Sequence, residues 1–269
     1  MGDSGRPPSP LPSGHPGEPV ADLDRYRHGI VPACDLDDLD AVSRLLEAVD
    51  PVEGVVGYKL GGLLTLRYGL RAVVDAFRKV TTRTLLYDHQ KAGLDIPSMA
   101  SEYVEVCRDA GVDALVLFPL GGPGALDAFV GTTLRRGLLP IVGGALPLPD
   151  YLAPGGGYVV ADALTRIIAR AFALGARDFI VPATDLAALE LHRKTFAAGS
   201  GTRLFMPGIG PLGGDIARAF AAAAGMSAFA IVGRAIYAAP DPGEAARRLA
   251  AEALAADNSA GGTARRTSE

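Results

Sequence analysis

The stretch RLFMPGIGPLGGDIARAFAAAAGMSAFAIVGRAIY, residues 203–237, decides how the rest of the chain is read. A short apolar run rich in large side chains is followed by a glycine-rich turn. A segment of helical period comes next, and then a second apolar run that closes in Gly-Arg. Runs of this length bounded by Pro and Gly predict buried strands, and the segment between them predicts a helix over Asp215–Ala224. Pro207 falls at the end of its run, where a strand would be stopping in any case.

The same alternation recurs upstream. GIVPACD (29–35) precedes a helix over 38–49, GVVGYKL (54–60) one over 70–79, and RTLLYD (83–88) one over 97–109. DALVLF (113–118) precedes a helix over 123–136. LLPIVGG (138–144) is followed, after a long Pro/Gly loop, by one over 161–174. DFIVPAT (178–184) precedes one over 186–196. With the opening stretch and a last helix over 242–255, the count is eight βα units. That number in a unit spanning 21–256 predicts a single-domain (β/α)8 barrel; a doubly wound open sheet, which usually has fewer strands, is the runner-up.

Residues 1–20 are rich in Pro, Gly and Ser without apolar period, and 257–269 read the same way; both are expected to be disordered tails. The chain has 269 residues, is 49% hydrophobic and carries a net charge of −4. Basic residues are scattered, which argues against a nucleic-acid or membrane-surface partner. No apolar stretch has transmembrane length and no signal-peptide core is visible, so a cytoplasmic protein is expected. Cys34 and Cys107 lack metal-type spacing and sit in apolar surroundings, as reduced core thiols do.

A barrel does its chemistry at the C-terminal ends of its strands. Strand 1 ends in Asp35 and strand 2 in Lys59. Strand 3 runs into Asp88-His89-Gln90-Lys91, with Asp95 four residues on. Any one Asp after a strand reads equally well as a helix N-cap, and Asp37, Asp38 and Asp95 are placed for that. Taken together they read differently. An unpaired ammonium at a buried strand end is costly, and Asp35, Asp88 and Asp95 around Lys59 and Lys91 would balance every charge in an alternating array. After strand 7, Gly208, Gly210, Gly213 and Gly214 let the backbone approach an anion, with helix amides near Asp215 pointing at it. Gly233 and Arg234 follow strand 8. A glycine loop after strand 7 with Gly-Arg after strand 8 is where barrels hold phosphate.

These residues resemble the orotidine 5′-phosphate decarboxylase family over about Ile30 to Ala250. The likeness is carried by ACDLDDLDA at strand 1, YKLGG at strand 2 and Asp-Ile-Pro (95–97) after strand 3. Pro207–Asp215 matches the pattern Pro-Gly-(Ile/Val)-Gly-x-x-Gly-Gly-Asp, and Val232–Tyr237 matches (Val/Ile)-Gly-Arg-x-Ile-Tyr. The resemblance implies a metal-free, cofactor-free decarboxylase with a phosphorylated nucleotide as substrate. Asp35 would contact the ribose with Lys59 beside it, Asp88 would crowd the substrate carboxylate, and Lys91 would stabilise and protonate the carbanion. Asp95 would arrive from the second subunit of a homodimer with shared active sites, with Ile96 against the substrate. Arg234, with Pro207, Gly208 and amides near Gly214 and Gly233, would hold the phosphate.

The chain departs from that pattern in places. The family's Asp-x-Lys-x-x-Asp is widened to Asp88-x-x-Lys91-x-x-x-Asp95. On a regular strand, residues three apart face opposite sides. Either the strand ends early or bulges, leaving His89 a spacer, or His89 takes the acid's place in substrate binding. Leu146, Leu212 and Met99 stand where the family usually has polar residues. Three other readings stay open. One is a variant decarboxylase acting on a different nucleotide. A second is a Mg2+-dependent sugar-phosphate enzyme of the 3-keto-gulonate 6-phosphate decarboxylase or hexulose-phosphate synthase type, whose strand 2 ends in an acid where this chain has Lys59. The third is a phosphate-binding barrel without catalysis.

Overall fold

A computed structural model describes residues 21–261 apart from 90–92, 147, 198–200, 211–212 and 224. Eight parallel strands close into a barrel in sequence order. They are β1 (His28–Cys34), β2 (Gly57–Gly61), β3 (Thr84–Asp88), β4 (Ala114–Leu117), β5 (Leu139–Val142), β6 (Asp178–Ile180), β7 (Arg203–Pro207) and β8 (Ser227–Val232). β8 closes on β1, with His28 opposite Ala228 and Pro32 opposite Val232. The expected (β/α)8 architecture is the one found, and the open sheet is excluded by this closure.

The outer layer contains the expected helices: α2 (Leu39–Val49), α4 (Leu70–Arg78), α5 (Ala100–Ala110), α6 (Pro123–Arg135), α7 (Ala163–Ala173), α8 (Leu186–Ala197), α9 (Ile216–Ala222) and α11 (Pro242–Gly261). Three short ones were not anticipated: α1 (Ala21–Arg25), α3 (Gly62–Tyr68) and α10 (Arg234–Tyr237). Each is too short to show a helical period in sequence. α11 passes the expected boundary at 257 and runs to Gly261, the last described residue. Asp, Asn and Ser are only mildly unfavourable within a helix, so the polar composition after 256 does not break it. Of the tails expected at 1–20 and 257–269, residues 257–261 belong to α11, and the rest lie outside the described residues.

Alternation along the strands divides the core in two. Side chains such as Val31, Ala33, Val56, Leu86, Val116, Phe205 and Phe229 fill the barrel interior. Their neighbours, among them Tyr58, Leu85, Tyr87 and Phe179, face the helix layer in a larger cluster. α1 lies across the N-terminal mouth. Its Leu23 joins the interior column, and Asp22 and Asp24 bind Arg83 and Arg203 at 3.0 and 2.8 Å. The bottom is thereby sealed, and the opposite mouth is left to the loops. No helix among the described residues is long and apolar enough to cross a membrane.

Candidate active site

In-register pairing sets the charged cluster. Ala33 lies opposite Lys59, Lys59 opposite Leu86, and Gly61 opposite Asp88. Ala33 and Leu86 belong to the interior column, so Lys59 and Asp88 point inward at the C-terminal end of the barrel. Lys59 Nζ donates to Asp35 Oδ1 and Asp88 Oδ2, each at 2.9 Å. Lys59 is only 9% exposed. Burial opposes its charge, but the Asp88 and Asp35 carboxylates outweigh burial and hold its pKa above the ordinary value. Asp88 Oδ1 is buried and has no hydrogen-bond partner among the described residues. One oxygen of that acid is committed to Lys59, and the other is paired with none of the described residues.

β3 ends at Asp88, so regular alternation does not extend along the widened segment. Asp88 takes the inward place and His89 the outward one. The His89 ring packs 5.6 Å from Tyr87 and 6.3 Å from Tyr103, centroid to centroid, with Nδ1 buried. His89 does not line the cavity. The expectation that it binds substrate is corrected: its parity turns it toward α5. Lys91 lies outside the described residues. Asp95 and Ile96 are on the surface, with Ile96 62% exposed, and Asp95 Oδ1 accepts from the Ile96 amide at 2.8 Å. Neither reaches the cavity of its own chain. Asp38, by contrast, is a plain N-cap: its side chain accepts from Ala41 N at the start of α2.

A cavity of about 670 Å³ opens over the cluster. Asp35, Lys59 and Asp88 line one side; Pro207, Gly208, Gly233 and Arg234 line another. Gly210, Gly213 and Gly214, expected to hold phosphate, do not line it. Their amides are turned within the loop: Gly210 donates to Gly214 O, Gly213 to Gly210 O and Gly214 to Gly208 O. A β-carbon at Gly214 would lie 2.6 Å from Gly208 O. These glycines shape the turn that presents Pro207, Gly208 and Ile209, and the helix-amide contribution is not seen at Gly214. Leu212 lies outside the described residues. Met99 ends a 3-10 turn over Pro97–Met99 and is partly exposed, away from the cavity.

Sequence reasoning missed Thr184 and Tyr237, which also line the cavity. Tyr237 sits three residues after Arg234 on the single turn of α10, so the two side chains share a face. Thr184 follows the last strand-like bond of β6, in which Ala183 N donates to Pro207 O. The available signal was position after a strand for Thr184 and the Gly-Arg-x-Ile-Tyr motif for Tyr237. Cys34 and Cys107 are free and buried, and burial pushes both thiols up to about 12, as expected of inert core cysteines.

Residues 29–249 match the family model described as orotidine 5′-phosphate decarboxylase / HUMPS family. An orotidine 5′-phosphate decarboxylase of Methanosarcina barkeri is 32% identical over 220 residues, which is 81% of this chain and 91% of that one. The Thermobifida fusca protein of the same name is 31% identical over 232 residues, covering 83% and 94%. Among solved structures, the Methanocaldococcus jannaschii orotidine 5′-monophosphate decarboxylase complexed with inhibitor BMP superposes with a TM-score of 0.69 at 19% identity. It covers 84% of this chain and 98% of that one, and at that identity it speaks for the fold alone. A match this long, over a barrel whose β1, β2 and β3 ends converge on one buried lysine, makes the chain a member of the orotidine 5′-phosphate decarboxylase / HUMPS family.

Proposed function

We infer that this chain is a carboxy-lyase that converts orotidine 5′-phosphate to UMP and CO2, the step that completes a pyrimidine nucleotide. The observation that carries the reading is the placement of Lys59 between Asp35 and Asp88, 2.9 Å from each, on one side of a cavity that also presents Arg234 and two glycines. A phosphate held by Arg234 and the Gly208 and Gly233 backbone would anchor the far end of the nucleotide. Its binding energy would press the substrate carboxylate toward Asp88. The carbon–carboxylate bond then breaks with its electron pair left on the ring carbon. A fixed ammonium beside that carbon stabilises the charge without reorganisation. Lys91 is the proton donor in this reading. It is supported by its place three residues after Asp88 in the widened motif. Oδ1 of Asp88, which has no partner among the described residues, would both keep Lys91 charged and repel the substrate carboxylate.

A Mg2+-dependent sugar-phosphate reaction fits less well. Lys59 Nζ stands between the two carboxylates that a cation at this spot would need.

The working unit in this reading is a homodimer. Leu63, Leu66, Leu94, Ile96 and Met99 are all exposed on the segments that follow β2 and β3, beside the charged cluster, and Leu66 is 85% exposed. A second copy laid on this face would bury them and bring the partner's Asp95 toward Lys91. The assignment of the protein to the cytoplasm belongs to the same reading.

The test is CO2 release from orotidine 5′-phosphate by the purified protein, followed as loss of ultraviolet absorbance with and without chelator. Turnover that ignores chelator and is abolished in Lys91→Ala is the expected result. Turnover that requires Mg2+, or none with this nucleotide, would overturn the assignment.

A further inference from the structure

The cavity has a third side that neither the charged cluster nor the phosphate end accounts for. It comes from the ends of β4, β5 and β6 and is made of Phe118, Ala145, Leu146, Leu148, Pro149 and Ile180. None of these side chains offers a hydrogen-bond donor or acceptor. Phe118 and Ile180 cap the barrel's interior column, and Leu146 packs on it from above. Several main-chain and side-chain polar groups of the loop after β5 are already paired. Leu146 O accepts from Leu148 N at 2.9 Å, and Leu148 O from Tyr151 N at 3.2 Å. Gly144 O accepts from the Tyr151 hydroxyl at 2.8 Å.

We propose that Leu146 sets specificity at the ring end of the site. It makes the enzyme indifferent to the polarity of the substrate's far edge, so that 6-carboxypyrimidine nucleotides carrying a thiocarbonyl there are accepted as readily as orotidine 5′-phosphate. The proposal rests on the reading of the cavity as a nucleotide decarboxylase site. With the C6 carboxylate at Asp88 and the phosphate at Arg234, the edge across the ring faces the third wall. That edge carries N3–H between two carbonyls, and C4 is the carbonyl carbon opposite the ribosyl nitrogen. A wall built to pair with a carbonyl rejects an analogue that pairs poorly. The leucine and proline side chains of this wall have no such means, and an apolar surface suits the softer sulfur.

The experiment compares orotidine 5′-phosphate with its 4-thio analogue in the wild type, Leu146→Ser and Leu146→Ala. Wild type is expected to show kcat/KM values for the two within about threefold of each other. Leu146→Ser, which places a hydroxyl on the wall, should shift the ratio toward the oxygen substrate by roughly tenfold, the worth of one neutral hydrogen bond. Leu146→Ala, which opens the same space without a hydroxyl, should leave the ratio within about threefold of wild type. A wild-type preference for oxygen beyond tenfold, or equal shifts in the serine and alanine variants, overturns the proposal. Dissociation constants for UMP and 4-thio-UMP, read on the same three proteins, give the same ratios without catalysis. If neither carboxylated nucleotide turns over, the decarboxylase reading fails, and these ratios still decide for or against Leu146.

Discussion

Asp35 leans over Gly61 so closely that a β-carbon on Gly61 would lie 2.5 Å from Asp35 Oδ1, the oxygen that holds Lys59. The backbone at Gly61 is ordinary extended chain, φ −82° and ψ 154°, which any residue adopts. The glycine is therefore there for approach and not for conformation. Gly61→Ala should push the carboxylate off Lys59 while leaving the fold intact. The expected result is a fall in kcat/KM of about tenfold to a hundredfold with a melting temperature within a few degrees of wild type. An unchanged kcat/KM would mean that the Asp35–Lys59 contact is not part of the machinery.

Lys59 titrates late. Burial works against its charge, but the carboxylates of Asp88 and Asp35 raise its folded pKa above the ordinary 10.5. A raised lysine stabilises the fold fully below its unfolded pKa and loses that contribution as pH rises through the folded value. Lys59→Met should therefore cost the same stability at pH 7, 8 and 9. The loss should sit toward the low end of about 3–5 kcal/mol, because Asp35 remains half exposed. Urea unfolding midpoints across that range are the measurement. A cost that halves between pH 7 and 9 would show that the ammonium is already deprotonating there.

His89 separates a packing role from a chemical one. Its ring fills the space between Tyr87 and Tyr103 on the helix side of β3. His89→Phe keeps an aromatic ring in that space and should retain kcat/KM within about threefold. His89→Ala leaves a cavity beside the end of β3, and should lower both the melting temperature and kcat/KM. Loss of activity in the phenylalanine variant at unchanged melting temperature would return His89 to the list of substrate ligands.

That position also marks where the sequence stops being readable. The eight βα units are plain in the pattern because each strand is a short apolar run closed by Pro, Gly or a charge. Lys59 and Asp35 could be paired from chemistry alone, since a buried ammonium demands acids. Whether Asp88 or His89 faces inward could not be settled, because it depends on where β3 ends. Pairing with β2 fixes that point, with Asp88 opposite Gly61 and the ladder stopping there. The glycine loop was legible as a tight turn at the cavity's edge. Its division of labour was not, since which amides are spent within the turn depends on a fold-back that spacing does not encode. Thr184 is unremarkable in its own segment, and Tyr237 was read only as the end of the Gly-Arg motif; both meet the cavity only once the barrel closes.

The closed end of the barrel should govern stability without touching the chemistry. Leu23 is 1% exposed and completes the interior column from α1, far from the cavity at the opposite mouth. Asp22 and Asp24 clamp the same helix to Arg83 and Arg203, and Arg203 also binds Asp178 at 2.6 Å. Removing the side chain leaves a void that these fixed neighbours cannot collapse into. Leu23→Ala should cost about 2–5 kcal/mol of unfolding free energy. KM and kcat should stay within about twofold of wild type at 25 °C, because the strand ends that carry Asp35, Lys59 and Asp88 are held by barrel pairing and not by α1. Denaturant unfolding alongside steady-state kinetics reads both. A loss below about 1 kcal/mol would mean that α1 merely lies against the barrel. A change in KM would mean that packing at one mouth sets the geometry at the other.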